Sequence, residues 1–104
     1  MFKIKNDKIY HTRGDTGSLT IHLQDGDGKD VEDYTATLSV KKKIKDEDYL
    51  FQVPVENGTA QFSHELTQKL PAGDYVYDIE VHTSDGEVQT IGPNAYHLLP
   101  DITT

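Results

Sequence analysis

Five histidines, an Arg-Gly-Asp tripeptide and a run of alternating Asp and Gly are the residues of this chain best equipped for chemistry. The histidines are His11, His22, His64, His82 and His97. No two stand at the i, i+2 spacing of a strand metal site or in a His-x-x-x-His helix pattern, so no zinc centre is read. His64 alone shares the phase of neighbouring apolar residues, and its expected role is a partly buried, hydrogen-bonded histidine. Arg13-Gly14-Asp15 is the integrin-recognition tripeptide, but its types also make a turn into a strand. Gly14 permits that turn, and Asp15 or Thr16 can bond exposed backbone amides.

Asp25-Gly26-Asp27-Gly28 has the composition of a calcium loop. An EF-hand needs an oxygen ligand at its fifth position and a carboxylate at its twelfth, where this chain has Lys29 and Ala36. The template fails, and a polar turn is expected; a weak surface calcium site would have to draw on Asp25, Asp27 and Asp30 or Asp33. Asn57-Gly58-Thr59 fits a glycosylation sequon but reads first as a hairpin turn, because both central residues tolerate positive φ. There is no Gly-x-Ser-x-Gly elbow and no phosphate-binding glycine loop. No catalytic, cofactor-binding or metal-ligating residues are assigned, and the expected protein is not an enzyme.

The frame for these residues is small. The 104 residues make one domain, 1–104, and 35% hydrophobic content leaves six Tyr and three Phe to supply much of the core. Asp and Glu number 18 against 10 Lys and Arg, a net charge of −8. That sign opposes nucleic acid and anionic membranes, since phosphate neutralisation requires a basic surface. The absence of cysteine removes disulfides and thiolate sites and fits assembly in a reducing cytoplasm. No apolar run nears the ~20 residues of a membrane helix, and the first residues lack the apolar stretch of a signal peptide.

Periodicity then supplies the elements. After the breaker Pro71-Ala72-Gly73, residues Tyr75, Tyr77, Ile79 and Val81 alternate with Val76, Asp78, Glu80 and His82. Period two means a strand with one buried face, here expected to be central. Asp78 falls on its outward face, where a carboxylate is expected to meet a lysine or a backbone amide. Strands are also expected over Ser18–Gln24 with Leu19, Ile21 and Leu23 inward, over Thr35–Lys42 with Ala36, Leu38 and Val40 inward, and over Tyr49–Val55 and Thr59–Leu66. Short pieces flank an Asn6-Asp7 turn within Lys3–Tyr10. Pro54 cannot donate to a ladder, so its strand is read as an edge strand or as bulged at Pro54, and the Lys41-Lys42-Lys43 run is read as suiting an exposed edge. Ser84-Asp85-Gly86 turns the central strand into Glu87–Ile91; a two- or four-residue loop faces Val88 and Thr90 inward, a three-residue loop Ile91. Gly92-Pro93-Asn94 separates that piece from a last strand near Tyr96–Leu99. Seven or eight short strands with regular turn signals predict an all-β antiparallel sandwich with Greek-key connections.

Arg13-Gly14-Asp15-Thr16, then Pro71 to Glu80, then Asp85 to Ile91, then Asp101 to Thr103 form an ordered set of motifs. In that order and spacing the chain resembles the N-terminal immunoglobulin-like domain of the baseplate upper protein of siphophages infecting Gram-positive bacteria, and related small prophage proteins. The resemblance implies an immunoglobulin-like sandwich with a structural role in a virion tail, joining receptor-binding components to the baseplate. It implies that Gly14, Asp15, Thr16, Gly73, Tyr75, Tyr77 and Asp78 determine the fold and that the partners are other baseplate or tail proteins. Self-association and a host surface glycan are further options. A rival expectation is a carbohydrate-binding module at a bacterial surface, using Tyr10, Tyr34, Tyr49 or Tyr96 as exposed aromatics.

Overall fold

The computed structural model describes residues 1–24 and 26–101. They form eight strands: β1 (Phe2–Lys5), β2 (Lys8–Thr12), β3 (Gly17–Thr20), β4 (Tyr34–Lys41), β5 (Phe51–Glu56), β6 (Thr59–Phe62), β7 (Gly73–Thr83) and β8 (Val88–Leu99). A single 3-10 turn, His64–Leu66, is the one helical piece among the described residues. The strands make one sheet in the order β1-β2-β8-β7-β4-β5-β6-β3. It is mixed, because β2 runs parallel to β8 with Ile9 opposite Tyr96 and Thr12 opposite Leu99. The expected all-antiparallel pairing is therefore corrected at this one seam.

β7 is the centre, as its alternation predicts. It pairs with β4 from Tyr34↔Thr83 to Lys41↔Val76 and with β8 along its other side. Tyr75, Tyr77, Ile79 and Val81 are all buried, and they meet Ala36, Leu38 and Val40 of β4 in one core with Ile9, Phe62 and Tyr96. The Tyr77 hydroxyl donates to the Asp7 carbonyl at 2.6 Å. This fastens the β1–β2 turn, where Asn6 and Asp7 have φ of 51° and 63°. Two left-handed central residues define the tight hairpin turn whose twist suits its strands. Asn57 (φ 53°) and Gly58 repeat the device between β5 and β6, as expected.

The sheet curls until its outer strands meet, nearly closing a barrel. The contact is between Phe2 of β1 and Gly17 of β3. A methyl group on Gly17 would lie 2.3 Å from the Phe2 ring, so only glycine allows this approach. Phe2 then packs on Phe62 with ring centroids 4.9 Å apart.

Several expectations change. The strand predicted over Ser18–Gln24 ends at Thr20, because its partner β6 begins at Thr59 and the last bond in register, from Ile21 N–H to the Gly58 carbonyl, already falls on the β5–β6 turn. The two pieces on either side of Gly92-Pro93 are one strand with a bulge, the register shifting between Tyr77 and Ile79. Gly92 (φ 104°) stands where a side chain would lie 3.0 Å from the Tyr77 carbonyl. The Ser84-Asp85-Gly86 loop has three residues, with Thr83 N–H bonded to Glu87 O at 2.9 Å. Ile91 accordingly takes the inner side opposite Ile79, yet it stays 39% exposed while Ile79 is buried, because β2 flanks β8 only from Tyr96 to Leu99. The lysine run does not mark an edge: β4 lies between β7 and β5. β5 is also internal, and Pro54 is accommodated because β6 pairs only with Val55 and Glu56.

Replacing Tyr77 by Ala removes a buried ring and orphans the Asp7 carbonyl. The expected loss is about 3–5 kcal/mol. Urea unfolding measures it, and an unchanged midpoint would show that this ring does not hold the core.

Candidate functional site

The Arg13-Gly14-Asp15 turn follows β2 and is held from every side. Arg13 Nε and Nη2 reach Asp101 Oδ1 at 2.9 and 2.7 Å, and Nη1 donates to the Leu70 carbonyl at 3.4 Å. The Arg13 hydrogen bond holds the Asp101 carboxyl below its ordinary range. Gly14, in the left-handed region, donates its N–H to Thr67 Oγ1 at 2.8 Å. Asp15 receives the N-terminal ammonium on its carboxylate. Both charges of the tripeptide are thus taken up by the protein itself, and the turn is architecture. Thr16 is exposed at its end. The neighbouring crossing is closed by Tyr75, whose hydroxyl donates to the Pro71 carbonyl at 2.5 Å, four residues back.

Beside this turn lies the one histidine that is fully buried, and it is His11, not His64. His64 stands exposed on the 3-10 turn because β6 stops at Phe62. The His11 ring sits edge-on to Phe2, Phe62 and Tyr96. Its Nε2 lies 2.7 Å from the Asp15 carbonyl, which can only accept, so Nε2 carries the proton. Nδ1 then accepts from the Tyr96 hydroxyl at 2.5 Å. Burial lowers the His11 pKa from 6.5, against the opposing pull of the Asp15 carbonyl and charge. Burial also raises the Tyr96 phenol well above its ordinary value. A neutral imidazole with both nitrogens engaged is a structural group, not a free base.

The opposite pole is different. The β3–β4 loop, the β5–β6 turn and the β7–β8 turn converge there, since Tyr34 pairs with Thr83 and Glu56 with Thr59. Asp27, Asp30, Glu32, Asp33, Glu56, Asp85 and Glu87 gather at this end, with Lys29 the single cation among its described residues. A groove of about 570 Å³ opens beside Tyr34 and Val55, with His22, Asp30, Glu32 and Asn57 on its rim. Among the described residues no group of three or more His, Asp or Glu is placed to hold a metal ion. Asp25, the first residue of the suspected calcium loop, lies outside the described residues.

Other expected residues fall as follows. Asp78 lines a small outer groove with Ser39, Lys41, Ile44 and Pro93. The Lys41 ammonium turns to the Asp46 carbonyl at 2.7 Å instead of to Asp78. Gly73 opens β7, where its pairing with Leu98 begins the ladder. Of the tyrosines proposed for sugar binding, Tyr96 is wholly buried and Tyr10 stacks on His97 at 5.0 Å. Tyr49 is exposed under the Lys41 ammonium, and Tyr34 lines the acidic groove. No helix among the described residues is long and apolar enough to cross a membrane. No protein-family model matches the chain, and no curated protein matches it.

Two outcomes follow. Thr67→Val keeps the buried shape but strips the Gly14 N–H of its acceptor, and the expected cost is about 1–3 kcal/mol by chemical unfolding. For His11 the unfolded chain binds the proton more tightly than the folded one. Its contribution is therefore complete above pH 6.5 and is lost as pH falls from there through the lowered folded value. Stability should drop between pH 7 and pH 5 more steeply in the native chain than in His11→Gln, which can keep both hydrogen bonds without titrating. Equal slopes would mean that His11 is not held neutral.

Proposed function

We propose that this chain is a non-enzymatic assembly module of a phage or prophage tail tip, similar to the N-terminal domain of siphophage baseplate upper proteins. The observation that supports the reading is that parts of three of the four resembling motifs, Arg13 to Asp15, Pro71 to Tyr75 and Asp101, meet at one pole, where they bind one another and both described chain ends, while Asp85 to Ile91 lies at the other end of the sheet. Residues used in this way build a rigid unit and offer it to neighbours; they do not process a substrate.

The finer fold reading is an immunoglobulin-like sandwich with Greek-key connections. Its support is the tyrosine hydroxyl bonded to the backbone four residues upstream, a feature of that fold at the entry to its central strand. In that reading β2, β8, β7 and β4 would form one layer and β1, β3 and β6 the other, with β5 passing between them, so that the chain would change layer before β2, β3, β4 and β7 and, through β5, before β6. In this reading the partners are other tail proteins, held through shape, charge and sheet edges.

Mass spectrometry of virions purified from a strain carrying the gene should find the chain in tail-tip fractions. Its absence from every particle fraction, with the gene outside any tail cluster, would overturn the assembly role.

A further inference from the structure

We propose that the open edge of β8, from Val88 to Ile91, receives an extended basic strand from a partner protein. This deepens the assembly reading and rests on it for the identity of the setting alone. Along its length β8 has β7 on one side, but β2 covers the other side only from Tyr96 to Leu99. On that side the segment before the bulge has no strand neighbour among the described residues. The hydrogen-bonded pair Thr83–Glu87 sets the alternation, so the N–H and C=O of Val88 and Thr90 point away from β7.

An unpaired edge is a template for strand addition, and proteins usually guard one with charge. β1, one of the two outer strands, carries Lys3 and Lys5, and the other, β3, is approached by β1 at Phe2 and Gly17. Val88-Gln89-Thr90-Ile91-Gly92-Pro93 carries no charge, and its Val88 and Ile91 side chains are 58% and 39% exposed. The bulge at Gly92-Pro93 ends the open segment without covering it.

Charge selects the occupant. Asp85 and Glu87 precede the edge in the turn, and Glu80 stands opposite Thr90 on β7. A second copy pairing here would add another segment that carries Asp85 and Glu87 and, from residue 84 to residue 93, no Lys or Arg, so neither copy would neutralise the acids of the other. So short a paired edge also falls far below the ~1,600 Å² of a standard stable interface. A partner strand with apolar residues on its inner face, beside Ile91, and Lys or Arg on its outer face, beside Thr90 and Glu80, satisfies the backbone and covers Ile91. It also neutralises the turn.

The probe is a synthetic peptide of three Lys-Val repeats, titrated into the full chain under amide NMR, with three Glu-Val repeats as control. Saturable binding should shift Val88 and Thr90 and slow their hydrogen exchange, with the acidic peptide at least tenfold weaker. Thr90→Pro removes an outward N–H while sparing the β7 ladder, and should weaken the basic peptide at least tenfold at an unchanged unfolding midpoint. Glu87→Lys, an exposed change that leaves the edge backbone intact, should weaken it at least threefold. Binding that is not saturable, maps elsewhere, or survives both substitutions overturns the proposal. So does concentration-dependent dimerisation abolished by Thr90→Pro. Virion membership is read independently, so loss of peptide binding and absence from particles are separate failures.

Discussion

The hydrogen bond from the Tyr96 hydroxyl to His11 Nδ1 joins the parallel seam of the sheet, and the closure of the fold depends on it. His11 lies on β2 and Tyr96 on β8, with almost the whole chain between them. Parallel neighbours cannot be joined by a tight turn, so all the intervening strands act as their crossover. The imidazole also stands among Phe2, Phe62 and Tyr96, where β1 of one sheet end reaches β6 and β3 of the other. One polar pair therefore sits inside an apolar junction, and both of its members are satisfied. Left half-bonded, either group would cost more than its hydrogen bond contributes.

How much of this was legible follows from how local each signal is. β4 and β7 have clean alternation over eight and eleven residues, and their inward faces are those the pattern predicts. The Asn57-Gly58 turn was legible because its backbone demand is met by two adjacent residue types. His11 was not, because Thr12, Arg13 and Gly14 beside it read as a solvated turn. Its two partners are a carbonyl four residues on and a hydroxyl 85 residues away, and only the second buries it. His64 failed for the reverse reason: its phase was right, but the strand had already ended. The edges were misplaced because Lys41 to Lys43 and Pro54 report local exposure, whereas an edge is a property of the whole strand order. Composition announced the acidity of the chain but not its location, which strand direction alone determines.

The resulting molecule has a chemical division of labour between its ends. One pole is fastened by Arg13, Asp101, Thr67 and Tyr75, with most of the cations interleaved among its acids. The other carries the excess carboxylates on loops. Like charges held in loops repel, which costs stability, but their field extends into solvent and favours encounter with basic surfaces. The long β7–β8 hairpin joins the two, with its root in the core and its tip among the acids.

Met1 and Asp101 both lie at the fastened pole, tied to the same turn through Thr12, Arg13 and Asp15. This fixes how the domain answers to mechanical load. Pulled apart through Met1 and Asp101, it is loaded at one corner, where the ammonium–carboxylate pair, the Arg13–Asp101 pair and the β1–β2 ladder take the load one after another and not together. A zipper of this kind yields at low force. Pulled instead between the fastened pole and a strand seated far along β8, the same sheet bears the load in shear, with its ladder bonds strained together. The direction of tension, and not the number of bonds, would decide whether this small domain holds or opens.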